Sequence, residues 1–158
     1  MGGIFELRDY RDLMAKLERD LEAITENPRD SGFAFNFFVT AWHLLEWVYP
    51  DDVAKRAQIR DASILLQISE HIAVGAKHFE PTSKKHKSVT RTFRDTELSR
   101  KLFDAGQLDI AILTDRLMID LDPNAAAEFG RDWVPAAGIA AMVVDFWREH
   151  LKQLGREK

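Results

Sequence analysis

The chain has no cysteine among its 158 residues. That excludes a disulfide framework, a thiolate metal site and a cysteine nucleophile. Positive charge is not in excess either: 22 Lys and Arg against 26 Asp and Glu leave −4 with the five histidines neutral. No overall field therefore draws the protein toward nucleic acid or an anionic membrane. Several motifs are missing. Without GxxxxGKS/T there is no P-loop, and without GxGxxG there is no dinucleotide fingerprint. The nucleophile elbow GxSxG and the zinc motif HExxH are also absent. The N-terminal MGGIFELRDYRD lacks a basic region followed by an apolar run, so no signal peptide is expected and the cytoplasm is the expected location. Long apolar runs are scarce. Gly32–Tyr49 just reaches the length of roughly 17 residues at which a span begins, and it carries His43 and Glu46, so no membrane association is expected.

What is present reads as ordinary globular composition, 46% apolar and 30% charged, and as a single domain over 1–158. The most apolar stretch is GFAFNFFVTAWHLLEWVY, residues 32–49, with four of the ten phenylalanines and two of the four tryptophans. It is apolar nearly all round, which marks a central helix rather than a surface one. Before it, Tyr10, Leu13, Met14, Leu17, Leu21 and Ile24 recur at helical spacing over 5–27, closed by Asn27-Pro28. Ser31 is the expected cap of the central helix, which stops at Tyr49-Pro50. A third helix is expected from Asp51 or Asp52 to about His78, antiparallel to its neighbours because the connections are short.

Beyond Glu80-Pro81 the chain turns polar and basic. Ser88–Phe93 alternates like a strand, and Thr96 is placed to cap a short helix through Phe103. Leu117, Ile119 and Leu121 alternate with Arg116, Met118 and Asp120, the period of a half-buried strand, and Ile110–Leu113 is its expected hairpin partner. A helix over 108–121 is the alternative. Residues 122–134 read as loop, and a last amphipathic helix runs from Pro135 through Ile139, Met142, Val143, Phe146 and Leu151 to a stop at Gly155. The expected fold is mainly α with minor β: a four-helix bundle-like core carrying a small antiparallel insertion between the third and last helices.

Two constellations bear chemistry. Asn36, Thr40 and His43 share one face of the central helix, with Glu46 beside them, and Ser63, Gln67, Glu70, His71, Lys77 and His78 form a polar band on the third. If the two bands met across a bundle seam, His43, Glu46 and His71 would suit a divalent metal, and His43, Glu46, His71 and His78 would suit general acid–base work. The preferred reading is a hydrogen-bonded layer that fixes helix register, with no cofactor. The second constellation is a basic patch of Lys84, Lys85, Lys87, Arg91 and Arg94, suited to phosphates but short of aromatic partners for bases. A charged edge strand is preferred to a nucleic-acid site.

FNFFVTAWHLLEW together with ISEHIAVGAKHF resembles a group of small helical proteins of unknown function found in bacterial genomes, themselves loosely similar to HEPN domains. The resemblance covers about residues 33–79 and implies a helical bundle. It would also imply ribonuclease action or pairing with a nucleotidyltransferase antitoxin, but the HEPN Arg-x(4–6)-His motif is absent, so no catalytic residue is carried over. The expected function is a non-catalytic interaction module. Phe33, Phe35, Phe37, Phe38, Trp42 and Trp47 point in too many directions for three neighbours to cover, which favours self-association or a protein partner. The alternative is a metal- or histidine-dependent hydrolase, with RNA as a candidate substrate.

Overall fold

A computed structural model describes residue 5 and residues 7–78, 88–94 and 116–156, with side chains to 75 in the first of these ranges and to 155 in the last. The protein is mainly helical with a small three-stranded antiparallel sheet. Helix α1 spans Tyr10–Glu26 and α2 spans Ser31–Val48. The Asp9 carboxylate caps α1 by accepting the Arg11 and Asp12 N–H groups. Asp30, not Ser31, caps α2: its carboxylate accepts both the Gly32 and Phe33 N–H groups, at 2.7 and 3.1 Å. A charged acceptor so placed also meets the positive end of the helix dipole.

The expected third helix is two. Helix α3 covers Val53–Asp61, capped by Asp52, and α4 covers Ile64–His78. The break at Ala62-Ser63 needs no proline because side chains satisfy the freed backbone groups. Gln67 Nε2 donates to the Arg60 and Asp61 carbonyls, and Ser63 Oγ accepts the Leu66 N–H at 3.4 Å.

Strand β1 is Val89–Arg94 and β2 is Leu117–Leu121, paired antiparallel with Thr92 opposite Ile119. The strand reading of 117–121 therefore replaces the helical alternative, and β2 pairs with β1 on one side and with a later strand on the other. The hairpin partner expected at Ile110–Leu113, like the short helix from Thr96, lies outside the described residues. The register slips between Val89 and Arg91, which makes Thr90 a bulge. Residues 122–134, expected as loop, hold helix α5 (Pro123–Phe129) and strand β3 (Trp133–Pro135). Asp122 caps α5, Pro123 suits its first turn, and Gly130 ends it with a left-handed φ of 66°. Helix α6, Ala136–Arg156, starts after Pro135 and runs through Gly155 rather than stopping there.

Helix α2 packs on α1, α4 and α6, and α6 packs in turn on the sheet. Phe37, Ala41 and Leu44 of α2, Leu17 and Ile24 of α1, and Val143 and Trp147 of α6 are fully buried together. Phe37 and Phe38 meet edge to face with centroids 5.3 Å apart, a geometry that aromatic quadrupoles favour. Of the six aromatic residues named above in favour of self-association, the core absorbs four: Phe37 and Phe38 entirely, Trp42 and Trp47 in part. Phe33 and Phe35 stay exposed at 37% and 46%, but two positions apart they lie roughly 200° around the helix and form no common face. Among the described residues no helix is long and apolar enough to cross a membrane.

Candidate functional site

The polar residues of α2 divide between two directions. Asn36, His43 and Glu46 are exposed, a solvent-facing strip on an otherwise packed helix. His43 Nδ1 and Glu46 Oε2 lie 3.1 Å apart, with half of each side chain in water. Thr40 is 5% exposed and faces α1. Lys16 Nζ donates to its hydroxyl at 2.8 Å and also to Asp20. The hydroxyl hydrogen is shared between Asp20 Oδ2 at 2.9 Å and the Asn36 carbonyl at 2.8 Å. This is a register-fixing polar layer of the expected kind, but it joins α2 to α1 and not to α4.

The polar band on α4 is used locally. Ser63 and Gln67 brace the α3–α4 corner, and Glu70 reaches back to Arg60 at 3.5 Å. Burial pulls the Arg60 pKa down, but its bond to Asp61 and the charge of Glu70 outweigh this and hold the guanidinium above its ordinary value. The corner is thus a staple whose guanidinium stays ionised at every accessible pH. His71 turns elsewhere: it is 9% exposed and packs near Ala34, Phe35 and Phe38 of α2. At about 100° per residue, His43 lies roughly 130° around α2 from those three. His43 and Glu46 are therefore brought together, and His71 is not brought to them. His78 ends α4 by its backbone, and its side chain lies outside the described residues, as does that of Lys77. Among the described residues no three histidine or carboxylate side chains converge closely enough to hold a metal.

Of the basic patch, Lys84, Lys85 and Lys87 lie outside the described residues. Arg91 and Arg94 fall on β1. Arg91 donates from Nε to Asp120 Oδ2 across the ladder at 3.1 Å and stacks on Phe93 at 4.8 Å. Cross-strand pairing and a ring face thus fix its guanidinium in place.

Arg91 and His71 meet at a feature that the sequence patterns do not indicate. A recess of about 400 Å³ opens between α2, α4 and the sheet. One wall is Ala34, Phe35 and Phe38; the second is His71, Ile72 and Gly75. The floor is Val89, Leu117, Met118 and Ile119, with Ala136 behind them. The Thr90 bulge brings successive residues of β1, Thr90 to Thr92, to the rim. Residues of α2, α4, β1 and β2, with Ala136 of α6, build it, so no local periodicity marks it. The one available signal is the half-exposed Phe35, an aromatic on a helix whose neighbours Phe37 and Phe38 are inside. A mostly apolar cleft of this volume with a few convergent polar groups is the usual form of a ligand site.

Compared with family models, curated proteins and solved structures, the chain matches none.

Proposed function

We propose that this protein is a non-catalytic interaction module and that the recess beneath Phe35 is its recognition site. The observation that carries the reading is the combination of a recess walled by α2, α4 and the sheet with an aromatic ring left half in water at its rim. With Phe35 46% exposed, about half of the roughly 1.5–3 kcal/mol that full burial of such a side chain is worth is left for an apolar partner to recover. The hydrolase alternative draws no support from the geometry: His43 and Glu46 pair at the surface, while His71 belongs to the recess. Of the six aromatic residues that favoured self-association, only Phe33 and Phe35 stay exposed, and these face apart. An apolar group of a partner molecule is the occupant that the recess fits best.

The test is a neutral apolar probe. Decanol, titrated by calorimetry below its aggregation limit, binds one equivalent, and Ala34→Leu abolishes binding by filling the recess. Ile72→Phe serves as a second filler if Ala34→Leu melts early. Binding that persists in both folded variants removes the recess as the site.

A further inference from the structure

Strand β1 is an outer strand of the sheet: it pairs with β2 on one side, and among the described residues no strand pairs with the other. Two bonds fix the phase of the ladder. Leu121 N–H donates to the Asp132 carbonyl at 2.7 Å, on the β3 side, and Asp122 N–H donates to the Ser88 carbonyl at 3.2 Å, on the β1 side. Leu117, Ile119 and Leu121 therefore turn their backbone groups toward β3, and Met118 and Asp120 turn theirs toward β1. Thr92 stands opposite Ile119, so its N–H and C=O point away from β2, over the open edge. Thr90, Arg91, Thr92 and Arg94 are all exposed. A charged side chain reaching across an edge is a common obstruction to pairing. Arg91 does not reach that way, because Asp120 of β2 holds its Nε at 3.1 Å and the Phe93 ring lies under its guanidinium. Thr92 also lines the recess, with Thr90 and Arg91 beside it and Phe35 on another wall. An added strand takes its affinity from main-chain hydrogen bonds and its selectivity from pockets that receive alternate side chains. Here an open backbone edge and an apolar pocket adjoin.

We propose that the occupant of the recess is an extended segment of a partner protein, which pairs with the Thr92 backbone and seats one apolar side chain beneath Phe35. The proposal rests on the recess being the recognition site and adds the class of partner and the way it is held.

The probes are the neutral peptide acetyl-Ser-Thr-Leu-Thr-Ser-amide, the same peptide with alanine at its centre, and decanol, each titrated by NMR. The leucine peptide is expected to bind about tenfold more tightly than the alanine peptide, the worth of burying most of three further carbon atoms. Its binding slows solvent exchange of the Thr92 amide hydrogen in step with saturation. Thr92→Pro removes the outward N–H and keeps the bonds to β2, as proline can on an outer strand. It weakens the leucine peptide about tenfold while decanol binds as before, and Thr92→Val, which keeps the N–H, leaves both unchanged. If Thr92→Pro unfolds the sheet, decanol binding is lost with it, and amide exchange in the unaltered protein decides. Undiminished peptide binding by a folded Thr92→Pro, or an unchanged Thr92 exchange rate at saturation, overturns the edge pairing and leaves the recess standing. Decanol binding without peptide binding does the same. Failure of both probes overturns the recess as well.

Discussion

Replacing Thr40 by valine removes one hydroxyl from the interface of α1 and α2 while keeping shape and β-branching. The hydroxyl accepts from Lys16 at 2.8 Å and donates toward Asp20 at 2.9 Å and the Asn36 carbonyl at 2.8 Å. Hydrogen bonds to charged groups contribute roughly 1.5–3 kcal/mol when their partners are left dry. Here Lys16 and Asp20 keep each other and are 35% and 17% exposed, so water replaces part of what is lost. The new methyl group returns roughly 0.8 kcal/mol of apolar burial. The balance is a destabilisation of about 1–2 kcal/mol. A urea series at neutral pH reads this as a midpoint lowered by roughly 0.5–1 M with an unchanged slope. The companion change, His43→Ala, deletes a half-exposed pair and should cost no more than about 0.5 kcal/mol. A double-mutant cycle of Thr40→Val with Lys16→Met should then show coupling, because the two side chains share one bond. A neutral Thr40→Val beside a costly His43→Ala would refute the assignment of the buried polar layer to α1.

Two further outcomes follow from local geometry. Gly130 sits at φ 66°, and a Cβ added there would meet nothing within 4 Å, so Gly130→Ala faces only backbone strain. It should cost about 1 kcal/mol and lower the melting temperature by roughly 2–4 °C, with Gly130→Asn milder. Asp12 accepts the Arg8 N–H at 2.9 Å, and this bond, with the Arg8 charge, holds its carboxyl below the ordinary carboxylate value of 3.8. A depressed folded pKa stabilises the native state above the unfolded value, and the contribution disappears as pH falls through the folded one. The stability gap between the protein and Asp12→Asn, read from urea midpoints, should be present at neutral pH and close on acidification. A gap that widens in acid would contradict the sign.

Local patterns carry the elements whose signals are local. Leu13, Leu17 and Ile24 mark the buried face of α1 and sit at helical spacing; Leu117, Ile119 and Leu121 lie on β2 as expected, but Met118, expected on the outer face, is buried too, so the strand is not half-buried in strict alternation. The chain from Asp122 to Gly130 holds a capping carboxylate, a first-turn proline and a terminal glycine. Yet only Ala125 of α5 is buried, so no apolar period announces the helix. The Ala62-Ser63 break is hidden because its signal is a tertiary staple of Gln67 and Glu70 on Arg60 and Asp61, not a glycine or proline. For the site, a helical wheel groups Thr40 near His43, but a wheel does not say which neighbour each residue meets. Thr40 turns to α1, His43 to water, and His71 to a recess whose walls come from residues 31–38, 71–75, 89–92 and 117–119. Such a cavity is a property of non-local packing, invisible to spacing along one helix.

Whether the recess beneath Phe35 is where this protein binds is tested most directly by methyl-resolved NMR during a decanol titration, because methyl groups ring the recess. Ala34, Ile72, Val89, Leu117 and Ile119 should shift together and saturably, while Ile59 on α3 and Leu151 near the end of α6 stay in place. Shifts scattered over the surface, or confined to Ile59 and Leu151, would contradict it.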